Sequence, residues 1–518
     1  MSNVGRAAQI LEALAAAGVA TVCCCPGGRN APLVAMLDQT TGFERLDFFD
    51  ERGAAFFALG RAQISGRPVA VLTTSGTAAA ELLPAAIEAR HAGIPLILIT
   101  ADRPPALRGT GAPQAIVQPG LFGDYAPTIF DGVTDRDALN LSTWDQLGPI
   151  HANVCFDEPL LDGPIPTLSL TPGTRWYTVH GTPDTAPILS LLSASQHPLV
   201  VLGPLRPDDH ERVRGFLLRL GAPIVAEPAS GLREDPALAH LVLAGGDRSA
   251  RHPSFDAVLR IGGVPTLRRW RDLDRDTVPV CSASRVPLAG LARGEVVVGS
   301  PGAMLGDLTP PARPNDAALA AATERDIQIG ALLHAEPTSE PGMLRALSRI
   351  IPDDTHLFLG NSLPIREWDL AAGRAPRGWT VGASRGANGI EGQVSTFLGM
   401  CAGERDHWAL IGDLTALYDL SAPWILPRLA GVGSIRIVVV NNGGGQIFSR
   451  LFKNPSFVNA HDRTFKYWAR MWGLFYAAWT EIPPVLPSLG ALPSPAVIEL
   501  QPDPNATARF WAAFDALS

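Results

Sequence analysis

Residues 411–448 read IGDLTALYDLSAPWILPRLAGVGSIRIVVVNNGGGQIF, and this stretch decides the fold. One apolar run ends in Gly412-Asp413; the next, IRIVVV, ends in Asn441-Asn442 and then three glycines. Between them Leu417, Leu420, Trp424, Ile425 and Leu429 have the spacing of one helical face. The pattern predicts strand, helix, strand, with polar residues gathered where both strands stop. In an open α/β sheet that edge is where ligands bind.

The same alternation extends in both directions. TVCCC, RPVAVLTTS and IPLILIT stand near the N-terminus; PLVVLG, APIVAEP, AVLRIGG and GEVVVGS follow in the middle; THLFLGNS, RGWTVGAS, DHWALIGD and PAVIELQ accompany the opening stretch. Continuous apolar runs bounded by turn residues are expected of parallel strands buried on both faces. A Pro-, Gly- and Thr-rich passage at 162–190 and a Pro- and Ala-rich one at roughly 300–340 divide them. A chain of 518 residues is too long for one core. We therefore expect an α/β protein of three doubly wound parallel-sheet domains, over residues 1–170, 185–320 and 335–518.

Composition excludes several function classes. A formal charge of −8 offers no electrostatic basis for binding nucleic acid or an anionic membrane. No run reaches the roughly 20 apolar residues needed to span a bilayer, so no membrane insertion is expected. The N-terminal stretch, with Arg6 and its alanines, has the look of a signal peptide, but Glu12 interrupts the apolar run and Gly18 is a natural helix stop. A first helix and strand is the expectation. The six cysteines form no CxxC pair. Cys23, Cys24 and Cys25 fall on a strand, where alternating side chains cannot converge on one ion, so they read as small buried residues. A reducing, cytoplasmic compartment follows from that usage.

The polar strand ends carry the chemistry. A hard divalent cation such as Mg²⁺ takes oxygen ligands and keeps only one or two from side chains. The Asp413 carboxylate, the Asn442 amide oxygen and the backbone at Gly444 meet that need, completed by diphosphate oxygens and water. Gly443, Gly444 and Gly445 let the chain turn tightly towards phosphates. GD and NN at this spacing, each after a buried strand, are the signature of thiamine diphosphate enzymes. Such an enzyme needs a glutamate from another α/β domain, hydrogen-bonded to the aminopyrimidine ring so that the ring can take the thiazolium proton. FFDERGAAFF (48–57) supplies Glu51, with phenylalanines that would desolvate it and favour a protonated carboxyl.

Longer motifs narrow the reading. PGGRNAPL (26–33), DERGAAFFALG (50–60), TSGTAAAELLPAAIEA (74–89), TADRPPALRGTGAPQAI (100–116), GPIHANVCFDEPL (148–160), AEPASGLR (226–233), GNSLPIR (360–366), SRGANGIEG (384–392) and NNGGGQIF (441–448) occur in this order. Together they resemble the 2-succinyl-5-enolpyruvyl-6-hydroxy-3-cyclohexene-1-carboxylate synthase family of menaquinone biosynthesis. The resemblance implies three domains of the thiamine diphosphate enzyme type and a transferase that decarboxylates 2-oxoglutarate and adds the succinyl carbanion to isochorismate. Thiamine diphosphate and Mg²⁺, with Mn²⁺ as the alternative, are the implied cofactors. A homodimer or homotetramer is implied too, with sites where subunits meet.

Residue roles carry over motif by motif. Arg29, Arg103 and Gln114 would face isochorismate, and Arg268 and Arg269 match a basic pair from the middle domain. Asn361, Ser362, Arg366 and Arg385 match residues that hold the acceptor and the succinyl carboxylate, Asn361 also on the cofactor side. Ile390 matches the aliphatic wedge that props the bent cofactor. Gly412, Ile447 and Phe448 count among the cofactor contacts, and Leu451 joins the last two in an apolar wall. Two dicarboxylate substrates account for the many arginines, whose planar guanidinium groups bind carboxylates through paired hydrogen bonds.

Departures fall on the substrate side. Gly28 stands where the family usually has serine, Pro113 where it has asparagine and Ser384 where it has asparagine, and the basic pair is Arg-Arg rather than Lys-Arg. An acetolactate synthase-like carboligase would need fewer arginines. A catalytically silent paralogue would be expected to lack Glu51 or Asp413. A nicotinamide oxidoreductase would show GxGxxG after a strand, and none is present.

Overall fold

Strands without a polar face must be covered on both sides, and the chain provides helices for this throughout. The computed structural model describes residues 2–132, 137–174, 183–452, 454–487 and 492–517. Three sheets carry the architecture, and every strand pairing in them is parallel.

The first sheet contains β1 (Thr21–Cys24), β2 (Glu44–Asp47), β3 (Val69–Thr73), β4 (Leu96–Asp102), β5 (Thr128–Gly132) and β6 (Ile150–Cys155), in the order β2-β1-β3-β4-β6-β5. The second contains β7 (Pro198–Leu202), β8 (Ile224–Ala226), β9 (Ala257–Ile261), β10 (Val280–Ser284) and β11 (Glu295–Val298), in the order β8-β7-β9-β10-β11. The third contains β12 (His356–Leu359), β13 (Thr380–Gly382), β14 (His407–Gly412), β15 (Ile435–Val440), β16 (Phe475–Trp479) and β17 (Ala496–Leu500), ordered β13-β12-β14-β15-β17-β16. In each sheet the order reverses between the first and third strands, which opens a crevice at their carboxyl ends.

Every apolar run quoted above is a strand. Strands β2, β5, β6, β10 and β16 lack such a run. β2 is ERLD, an edge strand with one buried residue, and β16 lies at the opposite kind of edge in the third sheet. β6 is fully buried but carries His151 and Asn153, which bond to Thr100 of β4 at 2.7 and 2.9 Å. Cys23, Cys24 and Cys25 are buried as expected, and burial pushes the Cys24 thiol up to about 12. The N-terminal segment forms the helix Asn3–Ala16. No helix among the described residues is long and apolar enough to cross a membrane.

Two expectations need correction. The passage at 300–340 is not simply a connector, because it contains the 20-residue helix Asp316–Ala335, started by the Asn315 side chain on the Ala318 N–H. Residues 414–429 do not form one amphipathic helix. The α-helix covers only Asp413–Tyr418, and a 3₁₀ segment, Ala422–Arg428, follows. Pro423 and Pro427 remove backbone donors and break the ladder, so Leu420 and Trp424 are exposed while Asp419 is buried. Of the expected 162–190 linker, residues 175–182 lie outside the described residues.

The chain forms two compact units. One comprises Met1–His180, Gly386–Ala402 and Asp419–Gly431; the other comprises Gly181–Arg385, Gly403–Tyr418 and Val432–Ser518. The first sheet belongs to the first unit, and the other two sheets belong to the second. Within the first unit the helix Gln393–Met400 is buried along its whole length beside the helix Glu51–Ser65. Two glycines permit this approach. A Cβ at Gly60 would stand 1.9 Å from the Thr396 carbonyl oxygen, and one at Gly399 would stand 2.0 Å from that of Phe57. Backbone contact that close is open only to glycine.

Candidate active site

In the second unit, β14 and β15 run in register from His407 against Ile435 to Gly412 against Val440. Asp413 and the Asn441-Asn442 pair therefore leave the sheet at the same edge. Asp413 is buried; its Oδ1 accepts from the Leu414 N–H at 2.6 Å and its Oδ2 from the Gly444 N–H at 2.9 Å. His461 Nε2 lies 3.3 Å from the same Oδ2. Burial pushes the Asp413 carboxyl up, and these donors oppose the shift. Gly443 and Gly444 have φ of 80° and 135°, and a Cβ at Gly444 would stand 2.5 Å from the Val458 carbonyl oxygen. The turn is closed to other residues.

Asn442 decides what this edge can hold. Its Nδ2 donates to both oxygens of Glu340, at 3.1 and 2.9 Å, which fixes the amide orientation. Its Oδ1 is then buried with no hydrogen-bond partner among the described residues. A buried acceptor without a donor is costly, and it suits a hard cation that seeks oxygen. Glu340 was not picked out from the sequence. It lies on the helix Glu340–Ile350 with its carboxyl facing that of Glu367, and burial pushes both upward.

A second cluster in this unit follows β12 and β13. Asn361 is buried, donates to the Ser384 carbonyl at 2.9 Å and accepts from Arg385 Nη1 at 2.8 Å. Ser362 has φ of 73°, a conformation disfavoured for a residue with a side chain. Its carbonyl accepts from Arg366 Nη1 at 2.7 Å. Burial lowers the Arg366 guanidinium to about 10, and the charges of Arg385 and Arg268 act in the same direction while Glu227 opposes them. The structure separates the expected basic pair. Arg268 is exposed and faces this cluster electrostatically, whereas Arg269 Nη1 is committed to Asp276 at 2.7 Å. Ile447 is half-buried and Phe448 exposed, on a 3₁₀ turn with exposed Leu451 and Phe452 beside it.

The first unit holds the remaining residues. Glu51 is the first residue of its helix, and the Asp50 side chain starts that helix by accepting from the Gly53 N–H at 3.0 Å. Burial pushes the Glu51 carboxyl up, with Asp50 and Glu81 adding to the shift. Three of the four phenylalanines around it, Phe48, Phe56 and Phe57, are buried, with Phe48 packed on Phe57 at 5.2 Å, while exposed Phe49 lies edge-on to Trp424. Arg29 donates to the Phe156 carbonyl at 3.0 Å and lies 3.4 Å from Glu158. Arg103 is held through Nε by the Pro113 carbonyl at 2.7 Å, next to exposed Gln114 at φ of 55°.

Ile390 also falls in the first unit, on a loop whose anchor the motifs did not reveal. Glu88, 298 residues earlier, accepts from the Gly386 and Ala387 N–H groups at 2.6 Å each, and from Asn388 at 3.2 Å. A single buried carboxylate thereby holds the backbone of residues 386–388, just ahead of Ile390. Glu51 and Asp413 lie in different units.

Comparisons with known proteins bear on the family and the fold. The family model described as the N-terminal TPP binding domain of thiamine pyrophosphate enzymes matches residues 6–121. A 2-succinyl-5-enolpyruvyl-6-hydroxy-3-cyclohexene-1-carboxylate synthase of Bdellovibrio bacteriovorus is 40% identical over 527 aligned residues, covering 100% of this chain and 99% of the relative. The enzyme of the same name from Akkermansia muciniphila is 41% identical over 87% of each chain. That from Rubrobacter xylanophilus is 35% identical over 90% of this chain and 89% of its own. A solved structure described as a thiamin diphosphate-dependent enzyme from Mycobacterium smegmatis superposes with a TM-score of 0.70, covering 97% of this chain and 99% of that one. At 17% identity it speaks for the fold alone.

Proposed function

The chain belongs to the 2-succinyl-5-enolpyruvyl-6-hydroxy-3-cyclohexene-1-carboxylate synthase family, and from that premise we propose how its own residues divide the work of that reaction. The reaction is decarboxylation of 2-oxoglutarate and addition of the succinyl unit to isochorismate. Thiamine diphosphate supplies the electron sink for loss of carbon dioxide.

Asp413, Asn442 and Gly444 would hold Mg²⁺, and the glycine turn would admit the diphosphate. The observation that carries this assignment is the Asn442 amide, whose nitrogen is committed to Glu340 and whose oxygen is left buried and unpaired. Glu51, pushed upward by burial, would hold a proton at its carboxyl and donate it to the pyrimidine ring. Ile390 would support the bent cofactor, and Asn361 and Gly412 would adjoin it. Arg366 and Arg385, with Ser362 and Arg268, would receive the succinyl carboxylate; Arg29, Arg103 and Gln114 would receive isochorismate. Ile447, Phe448 and Leu451 would exclude water from the reacting carbons. Arg269 is assigned to packing through Asp276 rather than to substrate.

The domain reading of 1–170, 185–320 and 335–518, self-association and a cytoplasmic location belong to the same proposal. In a homodimer or homotetramer, Glu51 and Asp413 of different copies would serve one cofactor. Mixing inactive Glu51→Gln and Asp413→Ala chains tests that arrangement, because hybrids would regain one intact site. The function itself is tested by carbon dioxide release from 2-oxoglutarate with thiamine diphosphate and Mg²⁺. Release should rise strongly on adding isochorismate and yield the succinyl adduct by mass spectrometry. Release indifferent to isochorismate would overturn the acceptor assignment.

A further inference from the structure

Among the arginines that would receive the succinyl carboxylate lies a carboxyl to which the reaction assigns no task. Glu227 follows β8 and opens the 3₁₀ turn Pro228–Ser230, which packs against β13 and the helix Leu363–Ala371. It is fully buried. Neither of its carboxyl oxygens meets a well-formed hydrogen bond among the described residues; the Thr266 hydroxyl and the Leu267 N–H face it and favour its charge less than Arg385 does. A buried carboxyl normally has donors, so this one needs an explanation.

Charge surrounds it from every neighbouring element. Arg385 follows β13; Arg366 and Asp369 lie on the helix Leu363–Ala371; Arg260 lies on β9. Arg268 acts on Arg366, Asp274 on Arg260 and Arg233 on Asp369. Three of these guanidiniums are oriented by neutral acceptors: Arg260 by the Ala289 carbonyl, Arg366 by the Ser362 carbonyl and Arg385 by the Asn361 amide. Glu227 thus balances them through space without occupying their hydrogen-bonding edges. Such a carboxylate keeps buried Arg260 and Arg385 and half-buried Arg366 tolerable together without forking to any of them.

We propose that Glu227 is the resident counter-ion of the Arg366–Arg385 pair, and that an incoming dicarboxylate takes over this role while Glu227 takes up a proton from solvent. The inference rests on the substrate assignment above. An arriving carboxylate can form paired, charge-assisted hydrogen bonds with guanidinium. Glu227 has no such guanidinium fork, only the Thr266 hydroxyl and the Leu267 N–H facing it, so of the two carboxylates it is the one that protonates. Its carboxyl already stands at about 7, raised by burial against the opposing pull of Arg385. A second negative charge nearby raises it further. Well below pH 7 the residue is protonated beforehand and uptake vanishes; above pH 7 uptake approaches one proton per site. Dicarboxylate affinity should then fall by up to about tenfold per pH unit above neutrality.

Glutarate, a five-carbon dicarboxylate without the keto group, is a suitable probe because it cannot be decarboxylated. The full chain, loaded with thiamine diphosphate and Mg²⁺, is titrated by calorimetry in buffers of different ionisation enthalpy. Uptake close to one proton at about pH 8 is expected, with Glu227→Gln binding glutarate with no uptake and a flat pH profile. Infrared difference spectra of the wild-type chain, which need no variant, should gain a protonated-carboxyl band on binding. Glutarate binding without uptake, uptake unchanged in Glu227→Gln, or no glutarate binding would each overturn the proposal. Absence of isochorismate-dependent carbon dioxide release would instead fault the functional reading, and the glutarate titration would still decide the role of Glu227.

Discussion

Counted from its own first strand, the first sheet and the third sheet run in the same order, 2-1-3-4-6-5. Their corresponding edges nevertheless carry opposite chemistry. In the third sheet, the exits of the third and fourth strands place a buried carboxylate, an unpaired amide oxygen and a glycine turn, all of which suit a cation. In the first sheet, the exits of the first and fourth strands place Arg29 and Arg103, which suit an anion. A further arginine there, Arg108, is neutralised by a fork to Asp131 at 2.7 and 2.8 Å and a bond to Asp102 at 3.1 Å. One topology supplies the crevice, and a handful of exit residues decides what enters it.

The comparison breaks first at the two carboxylates that lead each region. Glu51→Gln should keep the fold and cofactor affinity but reduce kcat by about 10²- to 10⁴-fold, the range for a lost acid–base group. Turnover like wild type would remove Glu51 from the chemistry. Asp413→Ala should weaken Mg²⁺-dependent thiamine diphosphate binding by roughly 100-fold or more in calorimetry. Unchanged affinity would leave the third edge without a metal. A smaller effect tests the support behind it: Glu340→Ala should weaken Mn²⁺ binding, read by electron paramagnetic resonance, by about tenfold, with Glu340→Gln recovering much of it because an acceptor for Asn442 Nδ2 remains.

Two changes in the first unit sharpen the contrast. Glu88→Gln removes the charge that gathers three backbone N–H groups and should lower unfolding free energy by about 1–2 kcal/mol in denaturant titration. No change would mean the SRGANG turn holds itself. Least of all, Gly28→Ser restores the family hydroxyl where a new Cβ meets nothing within 4 Å. It should leave the melting temperature unchanged and alter the KM for isochorismate by about threefold, ~0.6 kcal/mol. A collapse in stability would show that the departure is structural.

Much of this was legible because it is local. An unbroken apolar run admits few readings other than a doubly covered strand, and a carboxylate or amide at its end is exposed to the ligand edge by the parallel topology itself. Twelve of the seventeen strands named here are legible that way, and Asp413 and the Asn441-Asn442 pair stand at the ends of two of them. The broken segment after Asp413 was misread because helical spacing was allowed to outweigh two prolines. Strand β6 was missed because its polar residues, His151 and Asn153, are satisfied by Thr100, a partner no linear pattern reveals.

What the sequence determined by itself is the family with its thiamine diphosphate chemistry, and the parallel sheets whose ends carry Glu51, Asp413 and Asn442, the residues proposed for the acid and the metal. Tertiary structure alone decided the supporting partners. Glu340 orients Asn442 from 102 positions away, Glu88 gathers a loop from 298 positions away, Glu227 settles among arginines from three other elements, and Arg269 turns to Asp276 while Arg268 does not. The physical reason is range. Periodicity and turn propensity act over a few residues, whereas a buried charge takes whatever partner packing brings within hydrogen-bonding distance, and only the folded chain makes that choice.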